Sequence, residues 1–207
     1  MMPSWIHIPS YTLGLYHLDN SAVNSGTWPT NLTDQGAVAV SYSTTKKFGT
    51  HSLKLDTDAG NSFLLDSAAA MPLCVRNRWT IDYWIKTDLG IGSYATIGTV
   101  SVGGCMTGIG RDATGTFTSF GSTDTDYLDF TSFMHLAFVK DNDTQVKIYA
   151  NGTLAGTYTD STKYLAGLVI IGFGLLEDCN TYIDEVRLSS EARWTANFTP
   201  PTAPYDN

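Results

Sequence analysis

The 207-residue sequence predicts an all-β fold, one domain built as a sandwich or barrel of short strands, on three observations. Composition comes first: 28 Thr, 11 Tyr and 9 Phe against 3 Glu and 7 Lys suit pleated, half-buried surfaces, whereas helices fill their exposed faces with Glu and Lys. Spacing is second, since short alternating segments recur about every ten residues with turn residues between them. Third, no segment sustains a 3.6-residue pattern, which confines helix to a turn near Ser189 to Trp194.

In chain order, the first expected strands are Leu13 to Leu18, Ala37 to Tyr42, Ser52 to Leu55 and Phe63 to Leu65. The strongest follows at Trp79 to Lys86. Its period of two puts Trp79, Ile81, Tyr83 and Ile85 on one face, which predicts a central strand. Tyr94 to Val100 and Gly115 to Phe120 come next. The glycine-rich stretch Gly98 to Gly110 lacks the Lys-Ser/Thr of a phosphate loop and a following helix, so its glycines mark bends or bulges. Met134 to Lys140 and Gln145 to Ala150 read as a hairpin with the acidic tip Asp141-Asn142-Asp143-Thr144. Asn151-Gly152 opens a second hairpin into Thr153 to Tyr158, because both residues tolerate the positive φ of a type I′ turn. Leu168 to Phe173 and Tyr182 to Leu188 complete about a dozen strands. Pro200, Pro201 and Pro204 have no N–H for a ladder. The expected organisation is an N-terminal extension (1–12), one domain (13–198) and an extended tail (199–207) that lies on the domain or leaves it.

Charge and hydropathy exclude several classes. With 43% hydrophobic and 15% charged residues, the chain is not disordered. A net charge of −8 argues against phosphate-backbone binding to nucleic acid and against an anionic membrane surface. No apolar run approaches the ~20 residues that cross a bilayer, so no membrane insertion is expected. The start, Met1 to His7, lacks a basic n-region and an apolar h-region, so work outside a cell calls for a route other than a standard secretory signal. Cys74, Cys105 and Cys179 are odd in number and widely spaced, which excludes a disulfide framework but not a single bridge, and reads as buried thiols.

Six segments, in order along nearly the whole chain, together resemble the laminin-G-like jelly roll of the concanavalin A-like lectin/glucanase superfamily. They are Leu13 to Asp19, Lys47 to Asp56, Trp79 to Lys86, Met134 to Lys140, Ile148 to Gly152 and Tyr182 to Leu188. The ending Ala192 to Pro201 is similar to the closing segment of such domains in bacteriophage and environmental-virus proteins. The resemblance implies a two-sheet antiparallel jelly roll, while function has to come from the site, because this fold hosts lectins, adhesins, enzymes and structural modules.

Glycan-cleaving members of the superfamily carry paired carboxylates on one strand. Here the analogous strand offers Asp82 alone, between Thr80 and Trp84, and Asp82 is expected to be a solvated or salt-bridged surface acid. A Gly-x-Ser-x-Gly elbow is missing, and His7, His17, His51 and His135 never fall at i, i+4 spacing, so no catalytic residue is nominated. By the resemblance, calcium is the implied cofactor, held by Asp19 after the first strand and Asp184 of the last, with Asn20 or backbone carbonyls completing an oxygen shell; the alternative is that Asp184 caps its strand or pairs with Arg187. A second acidic run, Asp124, Asp126 and Asp129, lacks the Gly and distal Glu of a calcium loop and reads as a solvated loop. Asn31, Asn142, Asn151 and Asn197 stand in Asn-x-Thr triplets, which a Thr-rich chain produces by chance. Glycan contact would use aromatic rings on loops or on the outer sheet face, and the candidates are Trp28, Tyr42, Trp84 and Tyr127.

The function expected from these features is a non-catalytic phage or virus surface protein, on tail or capsid, that binds glycans or host-surface polysaccharide. Other virion proteins and further copies of the chain are its expected partners. The alternatives are a purely structural decoration, cement or tail role, a bacterial adhesin, and last a divergent polysaccharide hydrolase or lyase.

Overall fold

The computed structural model describes residues 12–36, 38–56, 63–66, 70–73, 77–88, 95–102, 105–111, 116–120, 123–124, 128–161, 166–175 and 180–206. Among them are fifteen strands and no helix. The strands are β1 (Thr12–Tyr16), β2 (Thr33–Asp34), β3 (Ser41–Ser43), β4 (Ser52–Asp56), β5 (Leu64–Leu65), β6 (Trp79–Thr87), β7 (Ala95–Val102) and β8 (Cys105–Arg111). They continue with β9 (Thr116–Phe120), β10 (Thr123–Asp124), β11 (Met134–Lys140), β12 (Gln145–Ala150), β13 (Thr153–Thr159), β14 (Val169–Leu175) and β15 (Asn180–Ser189).

Two antiparallel sheets form, as a jelly roll requires. One runs β13-β12-β11-β6-β15-β4-β3, with β1 also paired to β15; the other runs β10-β9-β8-β7-β14-β5-β2. Strand β6 is central, between β11 and β15. Its inward set, Trp79, Ile81, Tyr83 and Ile85, is fully buried. These side chains meet Val100, Val102, Ile109, Val169 and Ile171 of the second sheet in one core. Each buried aliphatic side chain contributes ~1.5–3 kcal/mol. Asn151 (φ 47) and Gly152 (φ 76) form the left-handed pair expected of the β12–β13 turn.

Two expected elements differ. Of the strand Ala37 to Tyr42, position 37 lies outside the described residues, and the ladder begins only at Ser41 because Asp34 takes the amides of Gly36 and Val40 into a turn. The helical turn at Ser189 to Trp194 is absent. Thr80 Oγ1 donates to the Glu191 carbonyl and accepts from the Arg193 amide, so the chain leaves β15 tethered to the sheet rather than coiled on itself. The Asn-x-Thr asparagines serve the backbone: Asn31, Asn142, Asn151 and Asn197 accept from the amides of Asn24, Thr144, His135 and Leu154.

The outer face of the eight-stranded sheet is covered. Alternation along β6 turns Thr80, Asp82 and Trp84 away from the core, toward what would be solvent, yet all three are buried. Residues 190–206 cross this face as a strap. Ala192, Trp194 and Phe198 pack on Ala137, Val139 and Tyr149, and Tyr205 packs with Leu15 and Trp84. The tail therefore lies on the domain.

Candidate functional site

Strands β1 and β4 meet end to end along one side of β15, and the site follows from that junction. β4 pairs with Asn180–Ile183 and β1 with Val186–Ser189, leaving Asp184 and Glu185 opposite the gap. The register against β6 shifts just past Asp184, where Glu185 and Val186 together face Tyr83 alone, and Glu185 takes the left-handed region at φ 52, a strained state for a non-glycine residue. The segment leaving β1 and the segment entering β4 must both pass this bulge.

Asp19 and Asp184 hold the same loop from two sides. Asp184 Oδ2 accepts from the amides of Lys47 (2.7 Å) and Phe48 (3.0 Å), and Asp19 Oδ1 accepts from those of Thr50 (2.5 Å) and His51 (2.8 Å). Gly49 between them sits at φ +55, and a Cβ there would run into the Asp19 carboxylate. Left-handed residues on either side of Asp19, Leu18 (φ 60) and Asn20 (φ 57), turn the chain at this point. Asn20 itself is exposed and engages through its backbone amide, on the Leu18 carbonyl.

Charge is concentrated here. Asp184 is buried and its Oδ1 has no hydrogen-bond partner among the described residues. Burial pushes its carboxyl up to about 7, against the two amides that favour the anion, and neighbouring Glu185 and Asp19 push the same way. Glu185, also raised by burial, is bound by His17 Nδ1 at 2.9 Å and by the Tyr205 amide at 2.8 Å. An unpartnered carboxylate oxygen beside further acids is what a hard cation would satisfy, so the chemistry of Asp19 and Asp184 fits calcium. Among the described residues no group of three or more His, Cys, Asp or Glu side chains is placed to hold a metal ion, so carbonyls or water would complete its shell.

On the strap-covered face, Asp82 is fully buried and takes Arg187 bidentately, at 3.1 and 2.8 Å. Burial would raise its carboxyl, but Arg187 and then His135 outweigh it and hold Asp82 below the ordinary aspartate value. His135 Nε2 lies 3.3 Å from Asp82 Oδ2 and 2.9 Å from the Tyr205 hydroxyl. Asp82 is thus a salt-bridged acid, as one of the two expectations had it, but a buried one rather than a surface one.

Of the aromatic candidates, Trp84 does lie on the face opposite the core, but it is only 4% exposed. Lys47 Nζ stands 3.9 Å above its ring, Phe48 meets it edge-on, and Tyr205 packs beside it, so no ring face is left for a sugar. Trp28 is half-buried on the loop after β1. Its Nε1 donates to the fully buried Asp66 (3.2 Å), which also accepts from Thr30 Oγ1. Tyr42, half-buried on edge strand β3, has its phenol raised by burial and by Asp34. Both rings rest on the rim of the main core. Asp66 follows β5, which pairs with the β2 strand that carries Asp34, so one sheet edge serves both. Tyr127 and Asp126 lie outside the described residues, as do Cys74 and Cys179, while Cys105 opens β8. Asp129 is exposed and accepts from its own loop at Thr131.

Sequence reasoning found no role for His17, Glu185 or Tyr205, and it set Arg187 against Asp184, whereas the guanidinium pairs with Asp82. A single tyrosine in a proline-rich polar tail was the one available signal; the φ of Glu185 left none.

A laminin-G family model, described as the concanavalin A-like lectin/glucanases superfamily, matches residues 55–197. No curated protein matches the chain. Among solved structures, the receptor-binding domain of botulinum neurotoxin D is similar at a TM-score of 0.62 and 15% identity, over 89% of this chain and 50% of that one. The binding domain of botulinum neurotoxin DC, in complex with SialylT, gives 0.63 and 13% over 88% and 48%. Domain 4 of AbnA, a GH43 extracellular arabinanase from Geobacillus stearothermophilus, in complex with arabinotriose, gives 0.62 and 19% over 89% and 95%. The chain thus spans about half of the neurotoxin chains and nearly all of the arabinanase domain. Family match, two-sheet topology and shared fold agree: the chain belongs to the concanavalin A-like lectin/glucanases superfamily.

Proposed function

We propose that this domain is a non-catalytic carbohydrate-binding module, carried on the outside of a phage or related virus particle, that engages host-surface or environmental glycans through the rim bearing Trp28 and Tyr42. The observation that carries it is Trp28: a half-buried ring on a loop, oriented by its N–H on a buried carboxylate. A rigidly held aromatic face beside polar groups is how proteins receive sugar rings. Similar folds in complex with SialylT and arabinotriose support a glycan as the ligand. The absence of a free acid at Asp82 supports binding rather than hydrolysis, since an ionised carboxylate locked on Arg187 has no proton to donate. Virion placement is supported by the likeness of Ala192 to Pro201 to the endings of phage domains.

Calcium forms part of the proposal. Asp19 and Asp184 would hold the ion, which would neutralise the acids at the β15 bulge and fix the loop 47–51. Saturating Ca²⁺ must then raise the melting temperature, because a ligand bound only to the folded state stabilises it; an unmoved melting temperature removes the ion.

A glycan array compares the wild type with Trp28→Ala and Tyr42→Ala. Loss of about tenfold or more in binding is expected for Trp28→Ala, the effect of removing a central aromatic contact. A wild type silent on the array but incorporated stoichiometrically into particles would replace glycan binding with a structural role.

A further inference from the structure

We propose that Tyr205 is a latch, and that its seating on the outer face of the eight-stranded sheet orders the 47–51 loop, so that strap and loop close together. Neither calcium nor a glycan is needed for this coupling.

Tyr205 enters a built pocket. It is 5% exposed, its hydroxyl is 2.9 Å from His135 Nε2, its amide donates to Glu185 Oε2, and its ring lies 4.0 Å from the Arg187 guanidinium carbon. A stretch that includes Pro200, Pro201 and Pro204 leads to it, so the anchor is the far end of a stiff span.

Two physical links join this pocket to the loop. The first is Trp84, which packs with Tyr205 and Leu15 and also carries Lys47 at 3.9 Å and Phe48 at 5.7 Å, edge-on. Removing Tyr205 would wet Trp84 and weaken the cation–π and ring contacts that hold Lys47 and Phe48, because such contacts gain strength with desolvation. The second link is the bulge. Glu185 binds the Tyr205 amide while adjacent Asp184 binds the amides of Lys47 and Phe48, so one carboxylate stands in the bulge at its strained φ of 52 and the other immediately before it. Undocking the latch would take one of its donors from a buried Glu185, and the bulge that aims Asp184 would relax with it.

Amide hydrogen exchange at Lys47, Phe48, Thr50 and His51 tests the coupling in the full chain. In Tyr205→Ala these four amides should exchange about tenfold faster, a coupling of ~1.4 kcal/mol, while amides of β6 and β11 keep their protection. Tyr205→Phe keeps the ring and should show a smaller change. Coupling is reciprocal, so Phe48→Ala should speed exchange of the Tyr205 amide, which is held by Glu185, by a similar factor. Unchanged exchange at the four amides in Tyr205→Ala would overturn the latch, and so would an unchanged Tyr205 amide in Phe48→Ala. Should Tyr205→Ala unfold altogether, exchange of the Tyr205 amide in Phe48→Ala decides alone.

Discussion

Asp184→Asn isolates the physics of the β15 bulge. In the folded chain the Asp184 carboxyl is raised from 3.8 to about 7, first by burial and then by Glu185 and Asp19. That is roughly 3 pH units, at ~1.36 kcal/mol each, and so at most ~4 kcal/mol. Between these values the folded state keeps a proton that the unfolded chain has released. The contribution to stability is therefore complete below about pH 4 and is lost as pH rises through about 7. Asparagine cannot ionise and lacks this slope. It also sets an N–H₂ where Oδ1 has no partner, at a cost of ~1–3 kcal/mol at every pH, so the quantity to read is the difference between the two curves. Urea unfolding in chelator from pH 4.5 to 8.5, with a shared m-value, measures it. The wild type should lose ~2–4 kcal/mol relative to the variant across that range. Adding Ca²⁺ at about 100 times its dissociation constant should restore ~2.7 kcal/mol to the wild type at pH 8.5 and none to Asp184→Asn. Parallel curves in chelator would show that Asp184 carries no buried charge.

Two other substitutions test the covered face. Asp82→Asn leaves Arg187 buried with a neutral partner and should cost ~3–5 kcal/mol in denaturant unfolding; a loss under ~1 kcal/mol would mean that solvent reaches the pair. Gly152→Ala forces alanine to φ +76 and drives its Cβ into the Phe198 carbonyl. It should cost ~1–2 kcal/mol and lift the stacked Trp194–Phe198 pair from His135, visible as a red-shifted tryptophan emission. Unshifted emission would show that the strap does not depend on this turn.

How much was legible in the sequence differs between fold and site. Strand β6 and the β11–β12–β13 meander followed from period-two alternation and from Asn151-Gly152, because both are local and their geometry is fixed by residue type. β3 was misplaced because a side chain, Asp34, captured the amides that would have begun it. The pairing of Asp19 with Asp184 came from family resemblance, and the molecule joins them through the loop amides of Lys47 to His51 rather than through Asn20.

Alternation divides a strand into two faces but says nothing of what lies on the second. Thus Asp82 and Trp84, outward on β6 as expected, became interior when a segment more than a hundred residues away folded over them. Composition, turn residues and strand period determined an all-β chain of short strands, a sandwich or a barrel, and the family resemblance pointed to two sheets. Tertiary structure alone decided that β1 and β4 abut at a bulge, that Glu185 there takes a backbone angle its side chain does not favour, and that Tyr205 closes the outer face. The reason is physical: local preferences act over a few residues, while burial is set by whichever distant surface arrives.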